Sequence, residues 1–427
     1  MTSRIPPTES ADAEVDIDVV IVGAGLAGLS CARYLAAGGL AVRVFEAEAE
    51  VGGRVRTDEV DGFRLDRGFQ VLLTAYDEVW RLVDRDRLAL GRFEPGSRIW
   101  QGGAFHDLPD AFREPGRIGA ALRSPVAPLA DKLRVARMRS TALMGADLGE
   151  PSDDGRRSTL DELRARGFSE RFIDGFFRPF LGGVFLDRAL SAPASLFQYL
   201  FRCFASGDAT IPAGGMGRLP EAIAEPLGDA VTTGIRVRAV GPDSVELENG
   251  SRVRARRVVI ATEAAAAAAL TGEASPSSTR AVTAWFAART APIERPVLLL
   301  DGAGEGPVNH LAVVTEVAEG LAPEGWSLVA ASGSEPFTGP VETFVPRALE
   351  QMNRWFGADV ERWGHLKTHE IPHALPSVDR SSAPTPGFRV GSDGIVRVGD
   401  HEAFAAIQGA LRSGRRAAEW ILAEESD

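Results

Sequence analysis

The stretch Ile17-Asp18-Val19-Val20-Ile21-Val22-Gly23-Ala24-Gly25-Leu26-Ala27-Gly28-Leu29-Ser30 decides the fold. Its apolar run reads as a buried strand, and Gly23, Gly25 and Gly28 make a G-x-G-x-x-G turn that opens a helix. In such a turn the first glycine permits the tight bend, the second lets a pyrophosphate approach bare backbone, and the third packs helix on strand. Free N–H groups at the helix start then favour an anion. A second strand, Ala41-Val42-Arg43-Val44-Phe45, ends at Glu46. That acid stands 18 residues after Gly28, near the ~20 expected of one that accepts a ribose hydroxyl.

Directly after Glu46-Ala47, the chain continues through Val51-Gly52-Gly53-Arg54-Val55-Arg56-Thr57. Paired glycines allow a second close approach to the pyrophosphate, and Arg54 can add a guanidinium to it. This stretch resembles the FAD-binding start of the flavin amine oxidase superfamily, which includes amine oxidases, protoporphyrinogen oxidase and phytoene-desaturase-like enzymes. The resemblance implies an α/β fold: a Rossmann-type FAD-binding domain built from three discontinuous segments, and a substrate domain of mixed sheet and helices. The expected FAD segments are 16–70, 208–279 and 388–427, with the cap at 71–207 and 280–387 and a polar, disordered tail at 1–15.

Later motifs follow the superfamily's order. Asp66-Arg67-Gly68-Phe69-Gln70 matches an Asp-x-Gly segment whose backbone meets the isoalloxazine ring in that superfamily. Pro212-Ala213-Gly214-Gly215-Met216 resembles the turn at which the chain returns to the FAD domain. Val245 to Arg254 reads as a hairpin about Asn249-Gly250, a type I′ signal. Arg257 to Thr262 reads as another buried strand, and Ala264 to Ala269 as a plain helix after it. The last signature is Gly399-Asp400, followed by a helix opening near Ile407 with Gly409-Ala410 and Ser413-Gly414. Motif and resemblance together assign cofactor contacts to Gly23, Gly25, Leu26, Ala27, Gly28, Glu46, Ala47, Gly52, Gly53, Arg54, Gly68, Phe69, Gln70, Val237, Gly399, Asp400, Ala406 and Ile407. By resemblance the backbone of Val237 holds the adenine edge, Asp400 accepts from ribityl hydroxyls, and the last helix aims N–H groups at the flavin.

Length and composition narrow the class. The 427 residues exceed one simple core and point to two packed domains. A net charge of −12 without a basic stripe argues against a nucleic-acid partner. Cys31 and Cys203 are the only cysteines and read as buried thiols, which fits a reducing cytoplasm. No apolar run reaches the ~18–20 residues of a membrane span, which leaves a peripheral membrane contact open. His310, His365, His369 and His373 lack partners at closed-site metal spacing, so no metal is expected and they read as surface or roof residues. His401, next to Asp400, is the one histidine expected beside the cofactor.

The resemblance also frames the chemistry. A flavin accepts a hydride equivalent at N5, and the protein lays a C–H bond against it. Amine oxidases add two facing aromatic rings; here Ala406 falls where one ring belongs, and Tyr34, Tyr76 and Tyr199 are the only tyrosines. They also place a lysine on the first roof strand, whereas Lys132 and Lys367 both lie elsewhere, which leaves Arg280 as the catalytic candidate by position. Nine phenylalanines crowd between Phe168 and Phe204, marking either a cap core or a greasy substrate passage. The region 71–207 otherwise reads largely helical, with a capped start at Thr159 and Glu162. The favoured reading is an oxidoreductase holding FAD without a covalent link. It removes a hydride equivalent from carbon of an isoprenoid- or polycycle-like substrate in an apolar pocket. Oxygen or a quinone-type acceptor takes the electrons, and the assembly is a monomer or homodimer. The alternatives are a flavin-dependent isomerase or mutase, an amine oxidase with an atypical cage, and a flavin-free lipid-binding module. The intact glycines and Asp400 argue against the last.

Overall fold

A computed structural model describes residues 17–144, 151, 157–333, 339–377 and 387–425. The expected tail at 1–15 lies outside them. Val19–Val22, wholly apolar and buried, forms the middle of a six-stranded sheet. Across that sheet run Val231–Thr232, Val42–Phe45, Val19–Val22, Arg257–Ile260, Val396–Val398 and Phe388–Val390. The first five are parallel and the last is antiparallel. Because the chain leaves the central strand to pair on both sides, a crevice opens at the strands' carboxyl ends. That crevice sets the site.

Helices Leu26–Ala37 and Ile407–Glu424 press together against this sheet. Ser30 Oγ donates to the Leu411 carbonyl at 2.8 Å. A Cβ on Gly414 would fall 2.1 Å from the Ala27 oxygen, so the two backbones touch where glycine alone fits. The first and last helices among the described residues are thereby one structural unit.

A second sheet has seven strands. In order they are Gly364–Pro376, Ser278–Ala288, Ser327–Gly333, His310–Val313, Leu298–Asp301, Gly96–Gln101 and Ala104–Pro109. Alternation along its central strands makes two faces. Phe286, Leu311, Val329 and Ala331 pack on Phe344, Ala348 and Met352 of the helix Phe344–Phe356. Trp285, Ala312, Leu328 and Ala330 face the other way, onto Phe63 and Leu65.

Three local readings are corrected. The region 71–207 is not largely helical throughout: up to residue 109 it supplies strands, two of which join the seven-stranded sheet. The missed signal is Gly102-Gly103, whose φ values of 63° and 80° make a two-residue hairpin turn between Gln101 and Ala104. The helix Thr159–Ala165 is capped by Ser158 with Asp161 in a reciprocal capping box. Glu162 instead pairs with Arg157 and Arg166. The hairpin at Asn249-Gly250 forms, but only Gly250 has positive φ, whereas a type I′ turn needs it at both central residues. The expected strands and the alanine helix, Ala264–Thr271, are present.

Candidate functional site

One cavity of about 1210 Å³ runs from the carboxyl ends of the parallel strands to the helical region. Typical small-molecule pockets span ~300–1,000 Å³, so there is room for a dinucleotide and a second molecule. Seventeen of the eighteen expected cofactor residues line it. Gly28 is the exception, because it serves the packing role: a Cβ there would fall 2.1 Å from the Gly23 oxygen.

Two helix starts face the cavity without a side-chain cap. Gly25 precedes Leu26–Ala37 and Ala406 precedes Ile407–Glu424; neither cap residue makes a side-chain hydrogen bond and neither first turn carries an acid. Orphan N–H groups and the positive helix end are therefore left for an anion or an electron-rich edge. A Cβ on Gly25 would meet nothing within 4 Å, so bare backbone forms the cavity floor there. Gly25 also bridges Gly52, joining the two glycine turns into one cradle. These features fit a dinucleotide pyrophosphate.

The charged residues are more committed than the sequence suggested. Glu46 accepts from the Ala24 N–H at 2.7 Å and the Glu48 N–H at 3.0 Å, so it braces the turn while facing the cavity. Arg54 is bound to Asp400 Oδ1 at 2.6 Å and to the Ala374 carbonyl at 2.8 Å. Burial opposes ionisation of Asp400, yet Arg54 and His401 hold its carboxyl well below the usual range. Asp66 lies behind the lining, where its Oδ1 accepts from Thr57 Oγ1 at 2.6 Å and from the Met216 N–H at 2.8 Å. Burial pushes its carboxyl up to about 6. It thus ties the Pro212–Met216 turn to the first segment.

Opposite the glycine cradle, the seven-stranded sheet presents a polar row. Thr283 pairs with Ser332, and Ser332 with His310, across three adjacent strands. All three are buried and line the cavity. Thr283 Oγ1 and Ser332 Oγ are 2.9 Å apart, and Thr283 Oγ1 accepts from the Phe69 N–H at 3.3 Å. The His310 tautomer follows from its neighbours. Arg188, donor only, donates to Asn309 Oδ1 at 2.7 Å, while Asn309 Nδ2 donates to the Pro179 carbonyl at 2.7 Å. Asn309 Nδ2 lies 3.1 Å from His310 Nδ1, which must then accept, leaving the ring proton on Nε2. Burial pulls the His310 imidazole down to about 4, so it is neutral above that pH.

This row corrects three expectations. His310 stands on the roof sheet, one of its two expected places, and lines the cavity 5.1 Å from the Phe69 ring, whereas His401, expected beside the cofactor, does not line it. Arg280 does not line it either, because its guanidinium pairs with Glu370 on the neighbouring strand at 2.7 Å. The pocket is not wholly apolar. Alternation on a strand could have flagged Thr283, but only cross-strand register reveals that three polar residues meet.

Beyond the row the wall is aromatic. Seven of the nine clustered phenylalanines line the cavity; Phe168 and Phe185 do not. Phe172, Phe176 and Phe180 stack as a ladder, with centroids 5.2 and 5.4 Å apart and planes within 9°. A π-helical turn, Ile173–Phe177, precedes Pro179 and sets this spacing. Of the tyrosines only Tyr76 lines the cavity. Cys31 and Cys203 lie outside the lining, and burial pushes them up to about 12 and about 11.

Comparison with known proteins agrees with this geometry. A putrescine oxidase from Kocuria rosea is 40% identical over 106 residues, 25% of this chain and 21% of that protein. Protoporphyrinogen oxidase 2 of Arabidopsis thaliana is 30% identical over 176 residues, 39% of this chain and 32% of the other. A carotenoid phi-ring synthase from Streptomyces griseus is 31% identical over 204 residues, 43% and 38% of the two chains. The chain thus spans about a fifth to two fifths of the length of these curated relatives. Among solved structures, an oxidoreductase from Methanosarcina mazei superposes with a TM-score of 0.73 at 18% identity, over 94% of this chain and 100% of the other. A putrescine oxidase bound to putrescine gives 0.70 at 22%, over 96% and 99%. These likenesses establish the shared fold. The model of the flavin containing amine oxidoreductase family matches residues 26–422, and the chain is therefore a member of that family.

Proposed function

We propose that the protein holds FAD without a covalent link and removes a hydride equivalent from carbon of a large hydrophobic substrate, isoprenoid- or polycycle-like. The observation that carries this reading is the continuity of the cavity from the glycine cradle, past Thr283, Ser332 and His310, to the seven-phenylalanine wall. FAD would supply the two-electron acceptor. Gly25, Gly52, Glu46 and the two uncapped helix starts would hold it, with Asp400 and its partner Arg54 along its length. A hydrocarbon-like substrate gains ~25 cal/mol for each Å² of apolar surface buried against the phenylalanines. An amine gains little, since Ala406 offers no ring and a cation is not stabilised by the neutral His310. His310 Nε2–H can instead donate to a polar substituent and fix the substrate's register. Position of neither cysteine on the lining leaves no thiol for a covalent link.

Anaerobic mixing tests the reading, with flavin bleaching near roughly 450 nm as the signal. An isoprenoid or fused-ring compound should bleach the flavin, and benzylamine or spermine should not. Fast bleaching by the amines alone would reverse the substrate class. Flavin that stays with the acid-precipitated chain would refute the non-covalent assignment.

A further inference from the structure

The cavity's far rim is exposed and apolar. Of the eight large hydrophobic side chains exposed among the described residues, seven fall between 112 and 144. Phe112, Ile118, Leu122, Leu129 and Leu133 are 54–64% exposed and also line the cavity, so they form its mouth. Their spacing is helical. Ile118 and Leu122 stand one turn apart on Ile118–Arg123, and Leu129 and Leu133 one turn apart on Leu129–Leu143, whose buried residues are Asp131 and Met138. A soluble surface rarely leaves such a contiguous patch bare.

Charge sets this patch apart from the rest of the protein. Residues 112–144 carry seven arginines and lysines and two acids within a chain of net −12; Arg113, Arg117, Arg134 and Arg139 are paired with Asp208, Glu94, Asp131 and Asp110. Arg123 and Arg137 are exposed beside the leucines. Apolar residues flanked by basic ones match the headgroup boundary of an anionic bilayer. No helix among the described residues is long and apolar enough to cross a membrane.

We propose that the helices Ile118–Arg123 and Leu129–Leu143 dock on an anionic lipid surface, their leucines and isoleucine entering the acyl boundary and the exposed Arg123 and Arg137 meeting the headgroups. The cavity mouth then opens directly into lipid. Docking stands on the rim itself; delivery of a hydrophobic substrate through that mouth rests on the proposed function.

Co-sedimentation of the full-length, flavin-loaded protein with sucrose-filled vesicles tests docking without any turnover, so it is independent of the substrate class. Vesicles rich in phosphatidylglycerol should bind at least about tenfold more tightly than phosphatidylcholine vesicles, and high salt should weaken the binding. Leu129→Glu/Leu133→Glu should lower partitioning about tenfold or more, and Arg123→Glu/Arg137→Glu should lower it on anionic vesicles only, with flavin content and Tm kept in both. Equal binding to both lipids, no binding to either, or a leucine variant that binds like wild type would overturn the proposal. So would light scattering that shows a wild-type dimer converted to monomer by the leucine substitutions, since a second copy would then be the occupant.

Discussion

At His310, burial costs the charged form. The imidazole titrates at about 4 when folded and near its ordinary value of 6.5 when unfolded. The unfolded chain therefore binds more protons between those values, and stability falls as pH drops from about 6.5 to about 4. The shift corresponds to up to about 3 kcal/mol. His310→Gln should lose less stability than wild type between pH ~7 and ~4.5, as read by urea unfolding; equal losses would mean that the imidazole is not held neutral. Asp66 runs the other way. Its pKa is raised from 3.8 to about 6, so the stability gained from the protonated carboxyl is complete below 3.8 and is lost as pH rises through about 6. Asp66→Asn keeps an acceptor for Thr57 and Met216, and should be more stable than wild type at pH ~8 by up to about 3 kcal/mol but not at pH ~4. A Tm deficit of equal size at both pH values would show that the Asp66 carboxyl is not raised on folding. Glu46→Ala removes the acceptor for two backbone N–H groups as well as the expected ribose partner. It should cost about 1–3 kcal/mol and weaken FAD retention at least about tenfold. Full flavin after dialysis would remove Glu46 from the cofactor's contacts.

The first helix separates two roles that glycines play three residues apart. Gly25 has φ −73°, an ordinary value, and open space where a Cβ would project. Gly28 has no space at all. Gly25→Ala should therefore fold with a Tm close to that of the apo wild type yet bind FAD at least about tenfold more weakly, because the added methyl group occupies the cavity floor. Gly28→Ala should instead unfold at a markedly lower temperature, since overpacking of this kind costs about 1–3 kcal/mol or more. The two melts, run with and without added FAD, distinguish blocked binding from damaged packing. Equal behaviour of the two variants would refute this division of labour. The G-x-G-x-x-G spacing made both roles legible, because backbone turn chemistry is local. The row of Thr283, Ser332 and His310 was not legible, because those residues lie on strands that meet only through sheet register.

At the scale of the molecule, the parallel sheet needs both ends of the chain. Val396–Val398 pairs with Arg257–Ile260, and Ile407–Glu424 packs on Leu26–Ala37. Ending the chain before Phe388 would strip two strands and the last helix from a core that includes Val396, Leu411 and Ile421. The shortened protein should lose cooperative thermal unfolding and not activity alone. A soluble fragment that melts cooperatively and retains flavin would refute that dependence.

Strand, glycine turn and acid are encoded within short windows, so the sequence by itself determined the flavin-binding architecture and the residues that line its cradle. Seventeen of those positions meet at one cavity because each signature fixes its own backbone geometry. Tertiary structure alone decided what stands opposite. Arg280 was turned to Glu370 by its neighbouring strand, and His310 was carried to the cavity by its register with Ser332. It also decided which phenylalanines line the passage and which apolar residues form its exposed rim. Facing, pairing and burial depend on partners tens of residues away on other strands, and no local window contains them.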